Sequence, residues 1–347
     1  MKTHLVDVHD DAQCARAHDV LVASKSHGRP WNRPPSLEES VIEWRHVDKA
    51  EPMEMWAAED GGEVLGVASL WMPQEDNTSM IWFDVAVDPQ LRRRGAGSAL
   101  MERLVERATE ERRTTLVTDT MVPAEQSEAH PHRRFLEGHG FTLSNTEIMR
   151  HLVLPVADEL LTGLAEQAWP RYEEGYRLET HVDGVPEEQR SSLTAVMNQL
   201  GVDAPTGDIE FEPETLDPTR YAEYLELERK QKRTRLTTVA IHEQTDDVVA
   251  YTDLILPAGA PTIVWQWGTL VHKAHRGHRL GMAVKVENLR RLQREHPARE
   301  RIVTGNDDTN SWMVDINERL GFEVVELCPA YQRKLGFSPA EVGSERR

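Results

Sequence analysis

Cysteine is nearly missing from this chain: there are two among 347 residues, Cys14 and Cys328, one near each end. Two thiols so placed make no disulfide framework and show no metal-ligand spacing, and they fit a reducing cytoplasm. No run approaches the roughly 18 consecutive apolar residues that a membrane span needs. The first twenty residues carry Asp, His and Arg where an export signal would be apolar. The expectation is a cytoplasmic protein without membrane attachment. Positive charge is also scarce, with 59 acidic against 40 basic residues and a net charge of −19. A surface of that sign opposes a phosphate backbone and argues against broad nucleic-acid binding. Anions must then be gripped locally, and two tight basic clusters stand out against the acidic background.

The chain is longer than one typical domain, and its 39% hydrophobic content suffices for two cores. Val64–Trp71 and Met80–Val87 read as paired strands, and the period then becomes helical from Ser98 to Arg112, with Leu100, Leu104 and Ala108 on one face. Thr115–Thr120 reads as a strand, followed by a short helix near Arg133–Gly138 and a strand from Phe141. The order recurs later: strands at Thr237–His242, Val248–Leu256 and Ile263–Val271, a basic loop, a helix at Leu280–Glu295, a strand at Arg301–Thr304 and a helix at Asn310–Leu320. Phe322–Leu327 and Ala330–Leu335 read as two closing strands. Arg92 and Arg276 are separated by nearly the same interval as Gly140-Phe141 and Gly321-Phe322, which points to a duplicated α/β domain with a mixed sheet and flanking helices. The expected domains are 1–158 and 172–338, divided in the Pro- and Gly-interrupted stretch 155–175.

The clusters are the loops. In the first, VDPQLRRRGAG, a strand ends at Val87 and Arg92-Arg93-Arg94-Gly95-Ala96-Gly97 leads into a helix. Glycines there let backbone N–H groups converge on an anion, the helix N-terminus adds its positive end, and arginines add forked donors for phosphate oxygens. A dinucleotide fingerprint fails because Leu100 stands where its third glycine belongs, and a P-loop fails for want of Gly-Lys-Ser/Thr. The segment that remains, R-x-x-G-x-G after a V-x-V-x-P strand end, resembles the acetyl-CoA motif of GNAT-type N-acetyltransferases. The second loop, His275-Arg276-Gly277-His278-Arg279-Leu280-Gly281, follows that pattern in part, with Arg279 where the first copy has Gly95. With TGNDDTNSWM and INERLGF downstream, the whole chain is similar to tandem GNAT proteins, a group that includes mycothiol-synthase-like enzymes.

That resemblance implies an acyl-CoA-dependent N-acyltransferase using acetyl-CoA, with residues 1–158 binding the donor and residues 172–338 performing transfer. The backbones of Val85, Val87, Leu270 and Val271 would pair with the pantetheine arm. Arg92, Arg93, Arg94, Gly95, Ala96, Gly97 and Ser98, and likewise Arg276, Gly277, His278, Arg279, Leu280, Gly281 and Met282, would hold the pyrophosphate. Asn310 would bond the pantetheine arm or, equally, cap a helix. Related enzymes often carry a tyrosine acid four residues before the Gly-Phe pair, where this chain has Leu136 and Asn317. Asp84 is then the candidate base, with a solvated or paired carboxylate as its ordinary alternative. Tyr331 is the candidate acid, beside Cys328. His272, His275 and His278 lack further ligands at zinc spacing, and no metal is expected. Trp56, Trp71, Trp82, Trp265, Trp267 and Trp312 are expected in the core. The partner is a small-molecule amine, favoured as a cation by the acidic balance; a non-catalytic acyl-CoA sensor is the competing reading.

Overall fold

The computed structural model describes residues 1–126, 130–199, 207–212, 215–307 and 309–336, which form two compact units. Among the described residues no helix is long and apolar enough to cross a membrane.

Unit 1 comprises Met1–Thr146, Thr206–Glu212 and Leu327–Arg347. Its sheet runs in the order β1 (Lys2–Leu5), β2 (Met53–Asp60), β3 (Glu63–Trp71), β4 (Met80–Val87), β5 (Thr115–Asp119), and then residues 327–334 of the final strand β13 (Glu323–Lys334). A two-residue strand, β6 (Val122–Pro123), lies beyond β5. Neighbours are antiparallel except β4 and β5, which are parallel. Both faces of the central strands are covered, so β3 is buried continuously from Leu65 to Leu70 instead of alternating. Ala57 and Val67 pack toward Ala17 and Val20 of α1 (Asp11–Ser26). Ala58 and Ala68 pack toward Leu100, Met101, Leu104 and Ala108 of α3 (Ala96–Glu110), which recur at helical spacing. The helices α2 (Leu37–Arg45) and α4 (Pro131–Gly138) complete the unit.

Unit 2 comprises Glu147–Pro205 and Pro213–Glu326. Its order is residues 147–153 of β7 (Thr142–Val153), then β12 (Arg301–Asp307), β11 (Ile263–Val271), β10 (Asp247–Pro257), β9 (Arg233–His242) and β8 (Tyr176–Val182). Leu161 and Leu164 of α5 (Asp158–Ala168) and Met282, Val286, Leu289 and Leu292 of α8 (Leu280–Glu295) cover one face. Leu193 and Val196 of α6 (Glu187–Met197) and Tyr221 of α7 (Pro218–Lys230) cover the other. The helix α9 (Ser311–Leu320) follows β12.

The repeated order of elements is present, and the compact units are not the consecutive stretches 1–158 and 172–338. Each unit takes its last strand from the other half of the sequence: 147–153 pairs with β12 and 330–334 with β5. Hydrophobic period gives each strand but not its partner, because pairing is decided by backbone register. The two closing strands expected around Pro329 are one continuous strand.

Candidate functional site

In both units two parallel strands pair for three residues and then part. The pairs in unit 1 are Met80↔Thr115, Ile81↔Leu116 and Trp82↔Val117; in unit 2 they are Ile263↔Arg301, Val264↔Ile302 and Trp265↔Val303. Beyond Trp82, β4 stays bonded to β3 as far as Val87. Its other edge, including the backbone of Val85 and Val87, has no partner strand among the described residues. Such an edge accepts an extended, amide-bearing ligand as an added strand. Leu270 and Val271 hold the corresponding place on β11, after a register shift in its pairing with β10 between Thr252 and Leu254.

The two loops share one backbone plan despite exchanging residue types. Arg93 and Gly95 have φ of 67° and 92°; Gly277 and Arg279 have 88° and 54°. Arg279 therefore adopts the left-handed conformation that Gly95 supplies in the first copy, and the second loop accommodates the Cβ. Gly95 and Arg279 are the N-caps of α3 and α8, and neither helix has a side-chain cap, so first-turn N–H groups are left for an anion. A Cβ on Gly97 would lie 3.2 Å from Phe135, and one on Gly281 3.2 Å from Ile316. A Cβ on Gly95 meets nothing within 4 Å. Gly95→Ala should therefore lose only conformational energy, about 1–2 kcal/mol in urea unfolding.

The side chains divide. Arg94 forms ion pairs with Asp60 at 3.0 Å and Glu63 at 3.2 Å, which turns it toward the β2–β3 hairpin. Arg92 and Arg93 have no ion-pair partner among the described residues, and burial pushes the Arg92 guanidinium below its ordinary pKa. Arg276 donates to the Val271 carbonyl at 3.3 Å and His278 meets the Arg171 carbonyl at 3.1 Å. Ala96, Leu280 and Met282 face the cores, leaving their backbones for a ligand, while Ser98 is half-buried. Asn310 caps α9, accepting from the Met313 N–H at 3.3 Å. The imidazole of His272 likewise accepts from the Ala274 N–H, and Tyr176 bonds His275 at 2.9 Å.

Asp84 lies two residues beyond the last β4–β5 pair, and Asp119 lies equally far along β5. From the last turn of α1, Lys25 places its ammonium 2.9 Å from the Asp84 carboxylate. Asp84's charge holds Lys25 above its ordinary pKa. Asp119 keeps solvent contact but is hemmed in by protein; this desolvation, then the charge of Asp84, pushes its pKa up, against the opposing effects of Lys25 and a Cys328 hydrogen bond. His132, in the first turn of α4, is fixed by a 2.7 Å bond between Nδ1 and Thr120 Oγ1, and burial brings it down to about 4, a neutral imidazole at pH 7. Lys25, Asp119 and His132 were missed in the sequence. Period two along Thr115–Thr120 could have flagged Asp119; Lys25 comes from a distant helix and gave no signal.

Tyr331 pairs with Thr118, one residue before Asp119, so it projects to the opposite face. There it is 1% exposed within the α3 core, and burial pushes its phenol up. The structure does not bring it to the carboxylates. Leu136 is buried in the same core. Asn317, 0% exposed, accepts from Lys285 Nζ at 2.8 Å and donates to Asn306 at 3.2 Å. Trp265, Trp267 and Trp312 are exposed instead of buried; Trp267 lies past the point where β11 leaves β12, and Trp312 opens α9.

Residues 16–141 match the model of the Acetyltransferase (GNAT) family. A tandem GNAT protein from the clavulanic acid biosynthesis pathway, solved without AcCoA, is similar with a TM-score of 0.81 and 26% identity, over 97% of this chain and 99% of that one. A GCN5-related N-acetyltransferase from Sphaerobacter thermophilus shares the fold, with a TM-score of 0.66 and 16% identity over 96% and 95% of the two chains. A comparison with curated proteins finds no match. These matches, with parted strands followed by a glycine-basic loop and helix in each unit, support an acyl-CoA-dependent N-acyltransferase in general. With two such units in one polypeptide, the chain is similar to that tandem GNAT protein over nearly its whole length.

Proposed function

We propose that this chain acetylates a small cationic amine with acetyl-CoA as donor, and that unit 1 performs the transfer. The carrying observation is that parted strands, a basic loop with unpaired Arg92 and Arg93, and carboxylates at the opening occur together in unit 1. At the positions of Asp84 and Asp119 unit 2 has Trp267 and Gly305, neither of them acidic, and the carboxylate that comes near Gly305 is that of Glu147 on β7. This reverses the expectation that residues 172–338 carry the chemistry.

In this reading the pantetheine arm lies along Val85 and Val87, and the pyrophosphate rests on the N–H groups of residues 95–98 with Arg92 and Arg93 beside it. The thioester carbonyl then reaches the opening between β4 and β5. Asp84 takes a proton from the bound ammonium, and the freed nitrogen attacks the carbonyl carbon. The C–N bond forms, the C–S bond breaks, and the nitrogen's second proton passes by way of solvent to the departing thiolate, leaving a neutral amide and a thiol; no covalent enzyme intermediate is needed. The second loop offers the same backbone donors, which suits a second CoA held without transfer.

Arg92→Ala should weaken acetyl-CoA binding roughly tenfold or more, the value of a charge-assisted phosphate bond. Calorimetry reads the binding, and thiol release across a panel of amines reads the transfer. Tight acetyl-CoA binding with no turnover on any amine would instead support the non-catalytic sensor.

A further inference from the structure

Lys25 is an unusual neighbour for the base of an amine-acylating site. It reaches from the end of α1 to the place where β4 and β5 part, and its side chain keeps 47% exposure while its ammonium sits 2.9 Å from Asp84. An exposed ion pair of this kind contributes little to stability, typically 0–1 kcal/mol, so holding the fold together is a weak account of it. The geometry offers another. Asp84 and Asp119 each lie two residues past the last β4–β5 pair; Asp84 holds the ammonium directly, and the charge of Asp119 acts on it as well. The remaining charges around the opening are cationic or neutral: Arg29 beside Lys25, and Arg92, His130 and His132 beside the loop. A pair of carboxylates alone would define nothing; here Asp84 already holds an ammonium, and Asp119 adds its charge to it.

Resting on the reading above, we propose that Asp84 and Asp119 form the subsite for the acceptor's primary ammonium, and that Lys25 is a built-in occupant which the acceptor displaces. Lys25 thereby keeps Asp84 paired when no acceptor is present, and it selects against acceptors without a cationic amine. The preferred acceptor is a primary alkylammonium with a slender approach, since the lysine's own unbranched stem is what the opening already admits. Neutral amides and anionic groups gain nothing from displacing it.

The subsite is testable without the acceptor or the donor. Lys25→Ala removes the occupant, and n-butylammonium chloride is titrated into it by calorimetry, with tetramethylammonium chloride as the ionic control. The expected result is saturable n-butylammonium binding at least tenfold tighter than in the unaltered protein, lost when Asp84→Asn or Asp119→Asn is added. Equal binding by both proteins, no binding by a folded Lys25→Ala protein, or retention in the Asn variants would overturn the proposal. Lys25→Met, which keeps most of the stem, replaces the alanine variant if circular dichroism shows that the latter is unfolded. Because the measurement uses no acyl-CoA, absence of turnover in the acylation assay counts against the enzyme reading and leaves this result standing, and the reverse also holds.

Discussion

Replacing Arg235 by methionine is expected to lower the stability of unit 2 by about 3–5 kcal/mol, because it strands two buried carboxylates. Arg235 is 5% exposed in β9 and bonds Glu228 at 2.9 and 2.5 Å and Asp253 at 2.6 Å. Burial pushes the Asp253 carboxyl up, and the guanidinium and the Thr237 hydroxyl oppose that. Without the guanidinium the Asp253 carboxyl would titrate higher still in the folded protein. The deficit should then shrink toward pH 4, where that acid is buried neutral, and widen above it. Urea unfolding across pH 4–8 reads this. A triple replacement of Arg235 by Met, Glu228 by Leu and Asp253 by Leu should recover most of the loss; a single variant as stable as the parent at pH 7 would show that the triad is not a coupled buried unit.

Lys285 should give unit 2 a stability that rises with pH on the alkaline side. It is 3% exposed in α8, has the Asn317 side chain as hydrogen-bond acceptor, lies 5.5 Å from the Phe322 ring centroid, and is brought down to about 7 by burial. Between that value and the ordinary 10.5 the unfolded chain binds the proton that the folded one has lost. Stability therefore climbs by about 1.4 kcal/mol per pH unit in that window and is lowest below pH 7. Lys285→Met should abolish the slope and stabilise the protein at pH 7 by about 2 kcal/mol or more, net of the 1–3 kcal/mol for leaving the Asn317 oxygen without its donor. Unfolding free energies at pH 7, 8.5 and 10 test it, and a flat profile in the unaltered protein would refute the buried neutral lysine.

Most strands and helices of the duplicated halves could be read from period, since Met80–Val87, Ile263–Val271 and Leu280–Glu295 carry unbroken apolar patterns bounded by turn residues. The pattern gives no signal for α1 and α2, and it divides into Phe322–Leu327 and Ala330–Leu335 what is one strand. Tyr331 illustrates a different failure. Its position in a strand was legible, but which face it meets depends on its register against Thr118, and that register belongs to the partner strand as much as to its own.

By itself the sequence pointed to the class of ligand: an acidic chain with two glycine-basic strand-to-helix loops offers an anion its donors there, because loop chemistry is local. Even the departure at Arg279 is local, a residue that adopts φ 54° in place of a glycine. Tertiary structure alone decided which unit pairs carboxylates across its opening. Asp84, Asp119 and Lys25 come from two strands and a helix far apart in the chain, and only strand pairing and helix packing bring their charges within reach of one another.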